Sequence, residues 1–374
     1  MKDLIKDQII QTKDNIIHLS KNLFKNEKDG MKIIKQSFDN YKIVNEEIKY
    51  KDMSILSSYV KNGNGPKIIL PYLLNQDDAL IKRWKISMIT PIIIRTAIAL
   101  NNISDKLNGE IIMLGFSENC YSYLLENPPI LNNCISCIFL NSNENTCESG
   151  SSMSVKTINI TFENTHSNQD SSFLRCSNSL DALINFINTI NLFHLNLASD
   201  TFIRYIIHET GDNPLQLPKH TQITLSVSSP NNALSEIIVN KILEISKNVS
   251  ANFNVAIKYN ITNPTYPAFK TNNALNRLFC HNLKEQGFIE INSSKFNDSS
   301  LLVSDISYLV PCIYPTIGLK GEHLNEDINN KVNGLFSNKS IDTIVDASTA
   351  CACTIIDILS NNEIAKNIKR DFNS

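Results

Sequence analysis

Cysteine and histidine are the side chains with the widest chemical range, and this chain spreads nine of the first and seven of the second over 374 residues. Cys134-Ile-Ser-Cys137 has the spacing of half a zinc site. It lies inside an apolar run, however, with no second Cys-x-x-Cys to close a tetrahedron, so buried thiols are expected there. Cys351-Ala-Cys353 falls in a helical pattern, where i and i+2 do not share a face. Cys120 could act as a nucleophile only with a base beside it, and the sequence around it offers none. His208 and Glu209 are neighbours in a strand pattern and so point to opposite faces, which excludes a dyad. His166 stands in a polar loop among Ser, Asn and Gln, the setting of a solvated imidazole. Lys82, Arg83, Lys85 and Arg95 form a cationic group that could hold a carboxylate or phosphate, against the plainer expectation of a solvated face. Asn62-Gly-Asn-Gly-Pro66 lacks the Gly-Lys-Ser/Thr of a phosphate loop and reads as a strand-entry turn. Between Asn75 and Leu114 there is neither His nor Cys.

The elements that would position these residues follow from periodicity. Leu4 to Phe24 repeats apolar residues at helical spacing, and a second helix is predicted over Gly30–Tyr41. Pro66–Leu74 reads as a buried strand, Thr90–Leu107 as a helix opened by Pro91, and Glu110–Gly115 and Cys134–Leu140 as strands with a helix at Cys120–Glu126 between them. That alternation is an α/β pattern with a largely parallel sheet. After a Gly/Ser linker at Ser149–Ser154 come a strand (Val155–Phe162), a helix (Leu180–Leu197), two strands (Phe202–Glu209 and Thr221–Ser228), a helix (Ala233–Val249) and a strand (Asn254–Asn260). This is the βαββαβ order of a ferredoxin-like unit. Past Asn263-Pro-Thr-Tyr-Pro267 the α/β pattern returns, with a helix near Asn273–Gln286, an apolar strand at Leu309–Ile313 and a helix near Thr343–Leu359.

Net charge is −2, with 35 basic and 37 acidic residues, so nothing marks the chain for nucleic acid or an anionic membrane. The apolar runs Pro91–Ile94 and Leu309–Ile313 are too short to span a bilayer. Met-Lys-Asp-Leu-Ile-Lys-Asp-Gln at the start carries charges within its apolar stretch, as an amphipathic helix does and a signal peptide does not. An odd cysteine count in a chain of this length favours reduced thiols and a cytoplasmic location.

Val303-Ser-Asp-Ile-Ser-Tyr-Leu-Val-Pro-Cys-Ile-Tyr-Pro315 resembles the "Asn-Val-Ser-x-Val-Val-Pro-x-Ile-His-Pro" stretch of the dizinc aminoacylase / aminobenzoyl-glutamate hydrolase family, the amidohydrolase-type metallopeptidases of family M20. Shorter matches recur in order along the chain: Asp78-Ala79-Leu80, Ala97-Ile-Ala-Leu100, Leu114-Gly115, Ser179-Leu-Asp-Ala182, Gly211, Pro218, Tyr266, Leu275, Asn282 and Gly287. The resemblance implies a discontinuous α/β domain of the catalytic type (1–152 and 263–374), with a central, mostly parallel sheet flanked by helices. Into it an α+β lid and dimerisation domain (153–262) is inserted.

The same resemblance implies two zinc ions and a glutamate general base acting on zinc-bound water, and here the match fails. The "His-x-Cys-Gly-His" loop aligns with Lys85-Ile-Ser87-Met-Ile89. The Glu-Glu pair aligns with Asn119 and Cys120, with Glu118 one residue away. The mid-chain histidine becomes Asn141 and the late one Tyr314. The substrate-carboxylate arginine becomes Ser228 and the lid asparagine Leu215, while His166 lies near the family's "Ala-Ala-His". The expectation is a protein without metal or other cofactor that has lost zinc-dependent hydrolysis. It would act by binding a small peptide or acyl-amino acid, or as a homodimer or the partner of a related subunit, with no nucleic acid or membrane involved. The alternative is an enzyme that acts on an amide, dipeptide or N-acyl amino acid without metal, through Glu118, Cys120, His166, Asp305 or Tyr314, or one that retains residual amidohydrolase activity.

Overall fold

A computed structural model describes the chain except for residues 12, 26–28, 52, 75–79, 117–121, 166–177, 214–216, 295–302, 320–333 and 335–336, and the side chains at 13, 14, 17, 80–82 and 264. Two compact units emerge. One is built from Met1–Gly150, Lys270–Lys295 and Asp305–Ser374, the other from Ser151–Phe269 with Phe296–Ser304.

The first unit opens with α1 (Lys2–Gln11), α2 (Lys13–Lys25) and α3 (Gly30–Asn40), followed by β1 (Val44–Tyr50), β2 (Met53–Asn62) and β3 (Lys67–Leu73). Then come α4 (Leu80–Asn101), β4 (Gly109–Phe116), α5 (Ser122–Glu126), β5 (Cys134–Ile138) and β6 (Asn141–Ser142). The sheet runs β1-β2-β4-β3-β5-β11, where β11 is Cys312–Ile313. Strands β4, β3, β5 and β11 are parallel, and β1 and β2 add an antiparallel edge. Ile68, Ile69 and Leu70 of β3 are fully buried, as a central parallel strand covered on both faces must be. The chain steps from β3 to β4 on one side, then crosses to β5 on the other, so the strand order reverses at β3.

Several sequence expectations need correction here. Pro91 does not open a helix; it lies inside α4, which begins at Leu80. A proline inside a helix costs about 3 kcal/mol, but Trp84, Ile86, Met88 and Ile89 are all buried ahead of it, and burial of each such side chain returns roughly 1.5–3 kcal/mol. The strand expected at Leu309–Ile313 shrinks to Cys312–Ile313, with Leu309 exposed and Pro311 unable to donate to a ladder. The hairpin β1–β2 was not anticipated, because Val44-Asn-Glu-Glu-Ile-Lys-Tyr50 carries few apolar residues, as suits an exposed edge.

The second unit holds β7 (Ser154–Asn164), α6 (Ser179–His194), β8 (Phe202–Glu209), β9 (His220–Ser229), α7 (Asn232–Phe253) and β10 (Val255–Tyr266). Its sheet, β10-β7-β9-β8, is antiparallel throughout. With α6 and α7 this is the ferredoxin-like arrangement. Ile158, Ile160 and Phe162 of β7 and Ile223, Leu225 and Val227 of β9 face a core shared with Phe186, Ile190, Ile238 and Ile242 of the helices. Asn178 and Asn231 cap α6 and α7, each accepting from a backbone N–H of the first turn at 2.9 Å.

The first unit closes with α8 (Asn273–Glu285), β11, β12 (Thr316–Ile317), α9 (Asn338–Ser360) and α10 (Asn362–Asn373). Asn272 ties this return together: its Oδ1 caps α8 at Leu275 N (2.9 Å) and its Nδ2 donates to Ile368 O of α10 (3.0 Å). Helix α9 is long and apolar enough to cross a bilayer, but 78% of its apolar window is buried inside the protein, packed on α4, α8 and α1. It is the central helix of the core.

Candidate functional site

At the carboxyl ends of β3, β5 and β11, beside the reversal of strand order, open α/β sheets place their ligands. Here that position holds a cavity of about 50 Å³. Pro71, Tyr72 and Leu73 of β3, Lys85, Ile86, Ile89 and Thr90 of α4, Phe139, Leu140 and Asn141 after β5, and Tyr314 after β11 line it. Lys85 and Ile89 share a helical face, one turn apart. Asn141 is fixed by its backbone N–H, which donates to Pro315 O at 3.0 Å, and by register against Thr316. The Tyr314 N–H donates to Ser149 Oγ at 2.8 Å, and that hydroxyl is 2.8 Å from Thr271 Oγ1. The Tyr314 ring leans on Phe139, with centroids 6.2 Å apart and planes at 41°. Thr90 Oγ1 donates to Leu73 O at 3.2 Å, pinning α4 to the end of β3. Gly115 permits the Tyr72 wall: a Cβ there would stand 2.8 Å from Tyr72 Cζ and 2.6 Å from Leu74 Cδ2.

Four positions that the resemblance assigns to metal ligands, Lys85, Ile89, Asn141 and Tyr314, therefore meet around one cavity. Ser87 does not line it; the Ser87 hydroxyl is buried without a hydrogen-bond partner. Glu118, Asn119, Cys120, His166 and Leu215 lie outside the described residues. Asp305 lies in the first turn of a short 3-10 helix, Ser304–Tyr308, away from the cavity lining, and burial pushes its carboxyl above the usual range. Ser228 is buried in β9. His208 meets Thr224 Oγ1 at 2.8 Å, and Glu209 meets His220 instead. Lys85 and Arg95 do not converge: Lys85 reaches this cavity, whereas Arg95 lines a different one. The side chain of Lys82 is outside the description.

The donors gathered here do not suit zinc. Zinc sites are built from thiolate, imidazole and carboxylate. The described residues of the cavity lining offer an ammonium, an amide, a hydroxyl and a phenol. Burial pushes the Tyr314 phenol up to about 12, so it remains protonated near neutrality. Among the described residues, no group of three or more His, Cys, Asp or Glu side chains could hold a metal ion. A volume of about 50 Å³ admits a few waters, where small-molecule sites measure roughly 300–1,000 Å³. Cys134 and Cys137 are also unsuited to nucleophilic work. Burial raises Cys134 to about 12 and holds Cys137, registered against Cys312 on the next strand, well above its ordinary value. Sequence reasoning missed Tyr72 and Phe139 as cavity walls, although Phe139 stands two residues before Asn141.

No family model matches the sequence, and no curated protein is similar to it in sequence. Solved structures do match over nearly the whole chain. A protein of methicillin-resistant Staphylococcus aureus assigned as an aminohydrolase is 12% identical, with TM-score 0.78, over 96% of this chain and 100% of its own. A dinuclear metal-binding M20-family peptidase from Bacillus subtilis is 11% identical, with TM-score 0.70, over 94% and 99%. An aminobenzoyl-glutamate utilization protein from Klebsiella pneumoniae is 8% identical, with TM-score 0.61, over 92% and 98%. At such identities the likeness is one of fold, and the fold of this chain is that of the M20-type metallopeptidases and amidohydrolases.

Proposed function

We propose that this protein has given up zinc-dependent hydrolysis and acts by binding, either to a small peptide or acyl-amino acid or as one half of a dimer. The observation that carries the reading is the convergence of Lys85, Ile89, Asn141 and Tyr314 on a cavity too small for a substrate and lined by the wrong donors. A lysine ammonium where divalent cations would sit opposes them, and the Ile89 side chain has no lone pair to offer.

Metal analysis of protein produced in zinc-supplemented medium, together with turnover of N-acyl amino acids and dipeptides, tests this. Zinc well below one ion per chain is expected, with no product above background. Near-stoichiometric zinc with chelator-sensitive turnover would overturn the proposal. Product that persists in chelator would instead favour metal-independent catalysis.

Dimerisation through the second unit is the part of the proposal that gives a binding protein its partner. Strand β8 is an edge strand whose Ile206 is 66% exposed, and an uncovered apolar edge invites pairing. Light scattering on wild type and Ile206→Glu is expected to show a dimer and a monomer respectively. A wild-type monomer at about micromolar concentration, where standard-size interfaces hold together, would remove this part.

A further inference from the structure

Arg95 is the member of the cationic group that lines a large cleft. It lies in α4 about 15 Å along the axis from Lys85, at ~1.5 Å per residue. Its side chain is 3% exposed, yet it forms the wall of a cleft of about 590 Å³ between α2, α3 and α4. Guanidinium atoms Nε and Nη1 have no hydrogen-bond partner, and the described group that supports the charge is the Tyr41 side chain. None of the described residues lining the cleft is acidic. Burial accordingly lowers the arginine's pKa.

A buried guanidinium with two unpaired nitrogens, and with no acidic side chain among the described residues of its cleft, is costly to keep. Packing does not demand it, since the neighbouring turns of α4 are closed by Ile92, Ile94 and Ile98. We propose that the cleft between α2, α3 and α4 binds a small organic monocarboxylate, whose negative charge Arg95 neutralises. One buried cation matches one negative charge, where a phosphate dianion calls for more. Asn22, Gln36 and Asn40 bring side-chain amides to the mouth for the ligand's polar atoms, and Leu19 and Ile98 supply apolar contact. The volume falls within the range of small-molecule sites. The site is separate from the cavity at the strand ends and does not depend on whether hydrolysis has been lost.

Calorimetry on the full chain with acetate, benzoate and N-acetylglycine, and with inorganic phosphate for comparison at matched ionic strength, tests the proposal. At least one carboxylate is expected to bind saturably, more tightly than phosphate. Arg95→Gln should weaken it about tenfold or more, as loss of a charge-assisted contact does. Asn40→Asp serves if the buried substitution fails to fold: Asn40 is exposed, and a carboxylate there should pair with Arg95, abolish binding and leave the fold intact. The proposal is overturned if no probe saturates by about 20 mM, if phosphate binds more tightly than every carboxylate, or if binding survives in the variants that fold.

Discussion

Raising the pH from about 8 to about 11 is expected to unfold the first unit, with stability falling from about pH 9 upward. Burial lifts the Cys351 thiol from 9.0 to about 12 and the Cys134 thiol likewise, while Tyr314 rises from 10.0 to about 12. Cys137 and the fully buried Tyr72 move in the same direction, also through burial. In each case the folded pKa lies above the unfolded one. Between the two values the unfolded chain has released a proton that the folded chain still holds, so stability falls as pH increases. The contribution is whole below the unfolded values near 9 and 10, and is lost through the window up to about 12. For Cys351, which is fully buried, deferral of ionisation by about two pH units at pH 11 amounts to roughly 2–3 kcal/mol. Several groups of the same sign then approach the ~5–15 kcal/mol that a domain has in reserve. Urea unfolding followed by far-ultraviolet circular dichroism at about pH 8, 9, 10 and 11 measures this. A midpoint that does not move up to about pH 10.5 would show that these thiols and phenols are not held in water-free surroundings.

The parts of this architecture that could be read in advance are those where burial leaves a strong period. The alternation of Ile158, Ile160 and Phe162 against Ile223, Leu225 and Val227 reports one wet and one dry face, and the second unit follows from it. The run Ile68–Leu70 reports burial on both faces, and the parallel centre of the main sheet follows from that. The hairpin β1–β2 was hidden because an edge strand needs no apolar stripe. The start of α4 was hidden by Pro91, whose local preference for a first turn was outweighed by the core contacts of Trp84 and Met88.

The site divides in the same way. Lys85, Asn141 and Tyr314 could be placed together because the resemblance aligns each of them with a metal-ligand position. Tyr72 carries no mark of the cavity in its own sequence neighbourhood, and Phe139 carries only its nearness to Asn141. Arg95 was grouped with Lys85 on charge alone, and helix geometry carries it three turns away into another cleft. Charge records that a residue is cationic, and only the packing of α2 and α3 on α4 decides what it faces.

Replacing Trp84 with alanine is expected to destabilise the first unit by about 3–5 kcal/mol, the usual cost of emptying a large buried aromatic site. Trp84 is fully buried at the beginning of α4, beside Lys85 in sequence and one turn before Met88, which accepts a hydrogen bond from Ser340 Oγ of α9 at 3.2 Å. Those contacts hold as helix the stretch that the resemblance aligns with a metal-binding loop, and so fix where Lys85 and Ile89 point. The indole carries a cost of its own, because its N–H is buried without an acceptor, a penalty of about 1–3 kcal/mol. Trp84→Phe removes that donor while keeping an aromatic ring, and the smaller volume offsets the gain. It is expected to fall within about 1 kcal/mol of wild type, because the cavity cost and the removed polar penalty are of similar size. Because Trp84 is the only tryptophan, urea unfolding of the three proteins must be followed by circular dichroism rather than by indole fluorescence. An alanine variant as stable as wild type would mean that α4 is held elsewhere along its length. A phenylalanine variant as weak as the alanine one would mean that the indole N–H has an acceptor, with the cavity wall anchored by a polar contact instead of by packing.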